Sequence, residues 1–192
     1  MFLRGVKMRN KRKSDYFGEI SLHKEIVSNI SMFPKYLYRQ ERDWTCSIAV
    51  LRSITSSIKD IGSEDDIIEK YDFKMGPNYS KDIKDKGILS SEDFDVLYGC
   101  DFKDLDISDL WYLFERGYYI ACEWMINYDH WTVILGFVKF DDIEDSMMVY
   151  YCPYYDEIRM IRAMEFDSMW CSGEFLKNSV KGDFIAVKQA SK

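Results

Sequence analysis

The feature that most constrains this chain is a change of period near Gly117. Before it, apolar residues recur at helical spacing; after it, they run in short β-branched and aromatic stretches. Ile48, Leu51, Ile54 and Ile58 stand three or four apart and predict a helix over residues 46–58 with one apolar face. Ser63, followed by Glu64, Asp65 and Asp66, supplies a cap and acids for a first turn and predicts a helix over 63–71. Further helices are expected over 90–98, where Ser90 and Ser91 precede Glu92 and Asp93, and over 107–116, stopped by Gly117. Residues 15–31 mix apolar and charged positions and read as a short helix closed off before Pro34. Residues 40–43 read as loop, and so do 76–87, which hold Gly76, Pro77 and Gly87.

Beyond Gly117, residues 118–126, 131–140, 147–152 and 184–187 read as strands. The acidic stretch 141–146 is the expected loop of a hairpin, and 165–171 a short helix before the last strand. Helices followed by antiparallel strands imply an α+β domain, with a helical half and a sheet half, rather than a wound parallel sheet. A length of 192 residues fits one domain. The expected organisation is a basic arm over 1–14 and a single domain over 15–192. The aromatic complement (14 Tyr, 12 Phe, 5 Trp) suits a sheet-rich core.

Lys and Arg number 26 against 33 Asp and Glu, so the net charge is −7 and sequence-blind nucleic-acid binding is not expected. The longest apolar run, residues 131–138, has strand length and falls far below a bilayer span, so no membrane partner is expected either. Five cysteines (Cys46, Cys100, Cys122, Cys152, Cys171) are odd in number and lack a CxxC pair, which suits a reducing compartment, the cytoplasm by default. Arg4, Lys7, Arg9, Lys11, Arg12 and Lys13 precede no apolar segment, so the N-terminus reads as a solvated arm, with contact to an acidic partner as its alternative role.

The candidate chemistry is a cysteine at a helix start and a distant histidine at a strand start. Cys46 would be the first residue of its helix, where free N–H groups and the helix dipole favour thiolate over thiol. Its own amide could donate to an oxyanion, and Gln40 on the incoming loop could supply a second donor. His130 opens a strand and could serve the Cys46 sulfur as general base and acid.

The residues Gln40-Glu41-Arg42-Asp43-Trp44-Thr45-Cys46-Ser47-Ile48-Ala49-Val50-Leu51 resemble the active-site segment of papain-like cysteine peptidases. They are most similar to the bacteriocin-processing (double-glycine leader) family, whose segment carries Gln and then Cys-Gly-x-Ala-x-Leu. Asp129-His130-Trp131-Thr132-Val133-Ile134-Leu135-Gly136-Phe137 resembles that family's His strand, and the stretch from Leu110 to Tyr119 resembles its helix-Gly-strand lead-in. Residues 162–170 resemble its short element after the site. The likeness spans about residues 38–187 and keeps the order Gln, Cys, His. It implies a papain-like fold, a Cys46–His130 pair, a Gln40 oxyanion donor, no cofactor and a peptide or protein substrate. The family's best-known members cut Gly-Gly leaders; with no transporter segment visible, that substrate is not carried over.

Two departures matter. Ser47 replaces the glycine after the nucleophile, a change a helix start tolerates. Cys152, in Val149-Tyr150-Tyr151-Cys152-Pro153, stands where the family has the Asp that orients the imidazole. A thiol accepts hydrogen bonds poorly. Asp156 could substitute if the chain bends back after Pro153, whereas Asp129, next to His130 on a strand, would face away. Cys46, His130 and Cys152 form a soft set that could hold zinc, but without a second close pair no metal is expected. Residues 64–66 read as a helix N-terminus, not a calcium loop. The 141–145 tip reads as solvated, with selection of basic substrates as its alternative. Trp124, Tyr128, Trp131, Tyr154 and Tyr155 belong to the core or the cleft wall. The expected function is thiol hydrolysis of a peptide or isopeptide bond; an inactive peptide-binding domain and an acyl or peptidyl transferase are the alternatives.

Overall fold

The computed structural model describes residues 26–76, 78–125, 129–140, 145–172 and 182–191. The arm expected over 1–14, most of the helix expected over 15–31, and the hairpin tip at 141–144 lie outside the described residues. In chain order the elements are β1 (Ile26–Ser31), α1 (Cys46–Thr55), α2 (Glu64–Tyr71), α3 (Ser80–Asp85), β2 (Phe94–Tyr98) and a 3-10 turn (Gly99–Asp101). Then follow α4 (Ile107–Glu115), β3 (Tyr119–Met125), β4 (Asp129–Phe140), β5 (Met147–Cys152), β6 (Glu157–Arg162), α5 (Ala163–Ser172) and β7 (Phe184–Gln189).

The helical spacing around Ile48 produces α1, which is buried almost all round rather than on one face. Two of its interior hydroxyls are satisfied locally, Ser53 and Thr55 donating to the carbonyls of Ala49 and Leu51 at 2.8 and 2.9 Å, while the buried Ser47 hydroxyl has no hydrogen-bond partner among the described residues. Ser53, Ser56 and Ser57 accept the N–H groups of Tyr38, Tyr36 and Lys35. These bonds lay segment 35–38 along the helix and fix where loop 39–45 turns back into it. Ser63 and Asp66 form a reciprocal capping box on α2, at 3.1 and 3.0 Å. Asp106 and Asp109 do the same on α4, which stops as expected where Gly117 takes φ +80°.

The strands form one antiparallel sheet in the order β2-β7-β3-β4-β5-β6, with β1 also paired to β4. On β4, residues 129–134 pair with β3 and residues 136–140 with β1, while β5 takes the other edge at 133–138. Helices cover both faces. One layer packs Ile48, Leu51 and Ile54 of α1, with Ile67 and Ile83, against Ala121, Trp131, Val133, Leu135 and Tyr151. The other packs Leu110 and Phe114 of α4 and Phe166 and Trp170 of α5 against Ile120, Trp124, Ile134, Tyr150 and Cys152. No helix among the described residues is long and apolar enough to cross a membrane.

The α+β division holds, but four segments differ from the sequence reading. Residues 26–31 form β1, not the end of a helix, because pairing with β4 outweighs an ambiguous local pattern. Gly136 permits that pairing: a Cβ there would lie 2.6 Å from the Ile30 carbonyl oxygen. The serines and acids at 90–93 make only a turn, with the Phe94 N–H on the Ser90 carbonyl at 2.9 Å, and 94–98 runs on as β2 against β7. Residues 80–85, read as loop, form α3, and β6 was not anticipated: its residues are half-exposed and show little alternation.

Candidate active site

Cys46 opens α1 from a loop shaped by its own hydrogen bonds. The Thr45 hydroxyl donates to the Arg42 carbonyl at 3.0 Å and accepts the Arg42 N–H at 3.1 Å. The Thr45 carbonyl then accepts the first helical N–H groups, from Ile48 and Ala49. The partly buried Cys46 sulfur lies near the backbone N–H groups of Ser47, of Cys46 itself and, across the interface, of Trp131 on β4. The helix start was expected to yield a thiolate. Burial instead outweighs those N–H groups and, helped by the negative Glu123, pushes the thiol up to about 11. Cys46 rests as a neutral thiol near pH 7.

His130 sits on β4, directly before Trp131. Side chains alternate across a strand, so Trp131 packs in the α1 layer and His130 faces the opposite one. There its Nε2 lies 3.2 Å from Cys152 Sγ. Its cross-strand partner is Trp124, whose indole N–H donates to Thr132 at 2.8 Å. The Tyr154 ring approaches the imidazole edge-on, centroids 6.5 Å apart. Burial, reinforced by the positive Arg159, drives His130 down to about 4, so the ring is neutral at pH 7. Cys46 therefore approaches β4 at residue 131 on the α1 face, whereas the His130 ring lies on the opposite face beside Cys152; both groups are neutral at pH 7.

Gln40 is tied into the same corner. Its N–H donates to the Pro153 carbonyl at 3.2 Å, linking the nucleophile loop to the turn after Cys152. Its side-chain Nε2 donates to the Arg42 carbonyl at 2.8 Å, while Oε1 is buried with no hydrogen-bond partner among the described residues. One of its two amide protons is thus committed within the loop. Asp156 corrects an expectation. Its Oδ1 accepts the Tyr151 hydroxyl at 2.7 Å, and the place beside His130 Nε2 belongs to Cys152. The backbone at Asp156 is left-handed, φ 54°, and leads directly into β6. Residues 39–43 with Tyr154 and Tyr155 line a cavity of about 360 Å³ beside the corner.

Sequence reading missed the Trp131 N–H and the buried Glu123, both of which bear on the Cys46 sulfur. The register of β3 on β4 places Glu123 opposite Trp131, a relation no linear spacing reveals. Among the described residues, no group of three His, Cys, Asp or Glu side chains is arranged to hold a metal ion.

An α+β domain with a cysteine at the start of a buried helix, set against a histidine-bearing antiparallel strand, has papain-like architecture. The chain is similar to the solved structure of UfSP from C. elegans, a papain-like cysteine protease, with a TM-score of 0.51 and 13% identity over 91% of this chain. That likeness shows the fold; this chain corresponds to 37% of the UfSP chain. No family model matches the chain. No curated protein matches it. The narrower resemblance to bacteriocin-processing peptidases therefore rests on the motifs alone.

Proposed function

We propose that the chain is a thiol hydrolase that cleaves a peptide or isopeptide bond in a protein substrate. The observation that supports this reading is the papain-like fold with Cys46 at the start of the buried helix α1, its sulfur facing β4 at Trp131 one residue from His130. Because both groups rest neutral, attack and proton transfer would be coupled. As the sulfur bonds to the carbonyl carbon, its proton passes to the His130 imidazole, which must turn from Cys152 toward the α1 face to receive it. The carbonyl oxygen takes the negative charge, against the Cys46 N–H and the remaining Gln40 amide proton. The imidazolium then protonates the leaving amine. Water resolves the thioester with His130 as base, and an amine in place of water would give transfer instead.

The test is incubation with a peptide library prepared from a proteome digest, read by mass spectrometry for new termini. Wild-type protein is expected to produce a recurrent cut or ligated product that Cys46→Ala and His130→Ala do not. Equal product from wild type and Cys46→Ala, or none from either, would overturn the reading.

A further inference from the structure

Helix α2 begins with an acidic run that a helix N-terminus alone would explain, yet its first residue is fully inside. Glu64 is 0% exposed although it sits on the outermost turn. Asp65 and Asp66, its neighbours, do ordinary surface work: Asp65 pairs with Arg42, and Asp66 completes the capping box. The Glu64 carboxylate instead reaches across to loop 39–45. Both its oxygens accept the Glu41 N–H, at 3.2 Å each. Thr45 acts on it too, through a hydroxyl proton shared with the Arg42 carbonyl, and Arg52 of α1 adds a positive charge nearby. Burial raises the carboxyl above its usual range, and the Thr45 and Glu41 bonds work against that rise.

The two contacted residues bracket the loop. Glu41 follows Gln40, and Thr45 precedes Cys46. A buried carboxylate persists only where partners hold it, and the N–H that both Glu64 oxygens accept belongs to Glu41, directly after the proposed oxyanion donor, with Thr45 beside it directly before the nucleophile. We infer that Glu64 is a positioning residue, a strut from α2 that fixes Gln40 and Cys46 relative to one another. The role rests on the hydrolase reading of Cys46, but the strut itself is a property of the loop. Arg42 and Asp65 add a second, exposed tie between the same two segments. Sub-ångström placement of donors and nucleophile governs rate, so a side chain that touches no substrate can still control turnover.

The experiment is hydrogen–deuterium exchange on the full chain, with peptide mass spectrometry also giving iodoacetamide rates at Cys46 and Cys100. Glu64→Gln keeps the shape and removes the charge; Glu64→Asp keeps the charge and withdraws it by one methylene. Asp85→Asn, remote in an exposed Lys81 pair, is the control. In Glu64→Gln, amide exchange across 41–46 is expected to rise about tenfold, as local opening becomes easier. The Cys46 alkylation rate should change at least about threefold, with Cys100 and the rest of α1 following the control. Glu64→Asp should fall between. Unchanged exchange and Cys46 rate in a folded Glu64→Gln would overturn the inference. So would a uniform acceleration of all segments, which would make Glu64 a support of the whole fold. Absence of peptide cleavage by wild type would sink the hydrolase reading alone, because the exchange result reports the loop directly.

Discussion

Replacing Cys152 by Asp puts a carboxylate where the structure has a thiol 3.2 Å from His130 Nε2. A carboxylate and an imidazolium about 4 Å apart attract by about 4 kcal/mol at an effective dielectric of 20. Burying the new charge at a site only 1% exposed takes back about half, leaving a net gain of roughly 2 kcal/mol for the charged ring. At 1.36 kcal/mol per pKa unit, that gain lifts His130 from about 4 to roughly 5.5. The Nε2–H would then point at the carboxylate, and the ring would titrate at that higher value. The assay is the His130 ring-proton titration by NMR. An unchanged titration in a folded Cys152→Asp protein would show that Cys152 does not hold the imidazole, and the reasoning would fail.

Other predictions follow from the same geometry. His130 titrates near 4 when folded and near 6.5 when unfolded, so the unfolded chain binds the extra proton between those values; about 3 kcal/mol of stability should disappear as pH falls from 6.5 to 4, measured by urea unfolding. Asp183, raised by burial to about 6, has the opposite sign and loses stability as pH climbs through that window, so Asp183→Asn should steepen the acid loss. Leu51→Ala removes a fully buried side chain from the α1 layer and should cost about 2–5 kcal/mol in the same assay. Gly136→Ala drives a Cβ into the Ile30 carbonyl and should speed exchange of the Met32 N–H, which bonds the Leu135 carbonyl at 2.9 Å; unchanged exchange there would show that β1 gives way at no cost.

Much of the fold was legible because its signals are local. The Ile48–Leu51–Ile54 spacing, the Ser63 cap and the glycine stop at Gly117 each act within one helix, and each appears where expected. Failures came where long-range pairing decides. β1 and β2 have helix-compatible sequences and become strands only because β4 and β7 offer edges. For the site, the sequence order of Gln40, Cys46, His130 and Cys152 suggested one corner; the Gln40–Pro153 bond ties the Gln40 loop to the turn after Cys152, while the alternation along β4 turns His130 to the face opposite α1, which linear order does not reveal. The ionisation states were not legible. A helix start favours a thiolate, yet the depth at which α1 lies under the sheet reverses the outcome, and that depth depends on seven strands closing around it. The Glu64 carboxylate shows the same limit, since an acid in a first turn looks identical in sequence whether it faces water or a loop.

The central claim is that Cys46 forms the covalent bond. Its most direct test is acid-quenched peptide mass spectrometry of the protein mixed with the peptide library, searching for a hydroxylamine-labile acyl adduct. The account predicts the adduct on the Cys46 peptide, persisting longer in His130→Ala under forcing conditions and absent from Cys46→Ala. Cleavage without an adduct on Cys46, or an adduct on Cys100 or Cys152 instead, would contradict it.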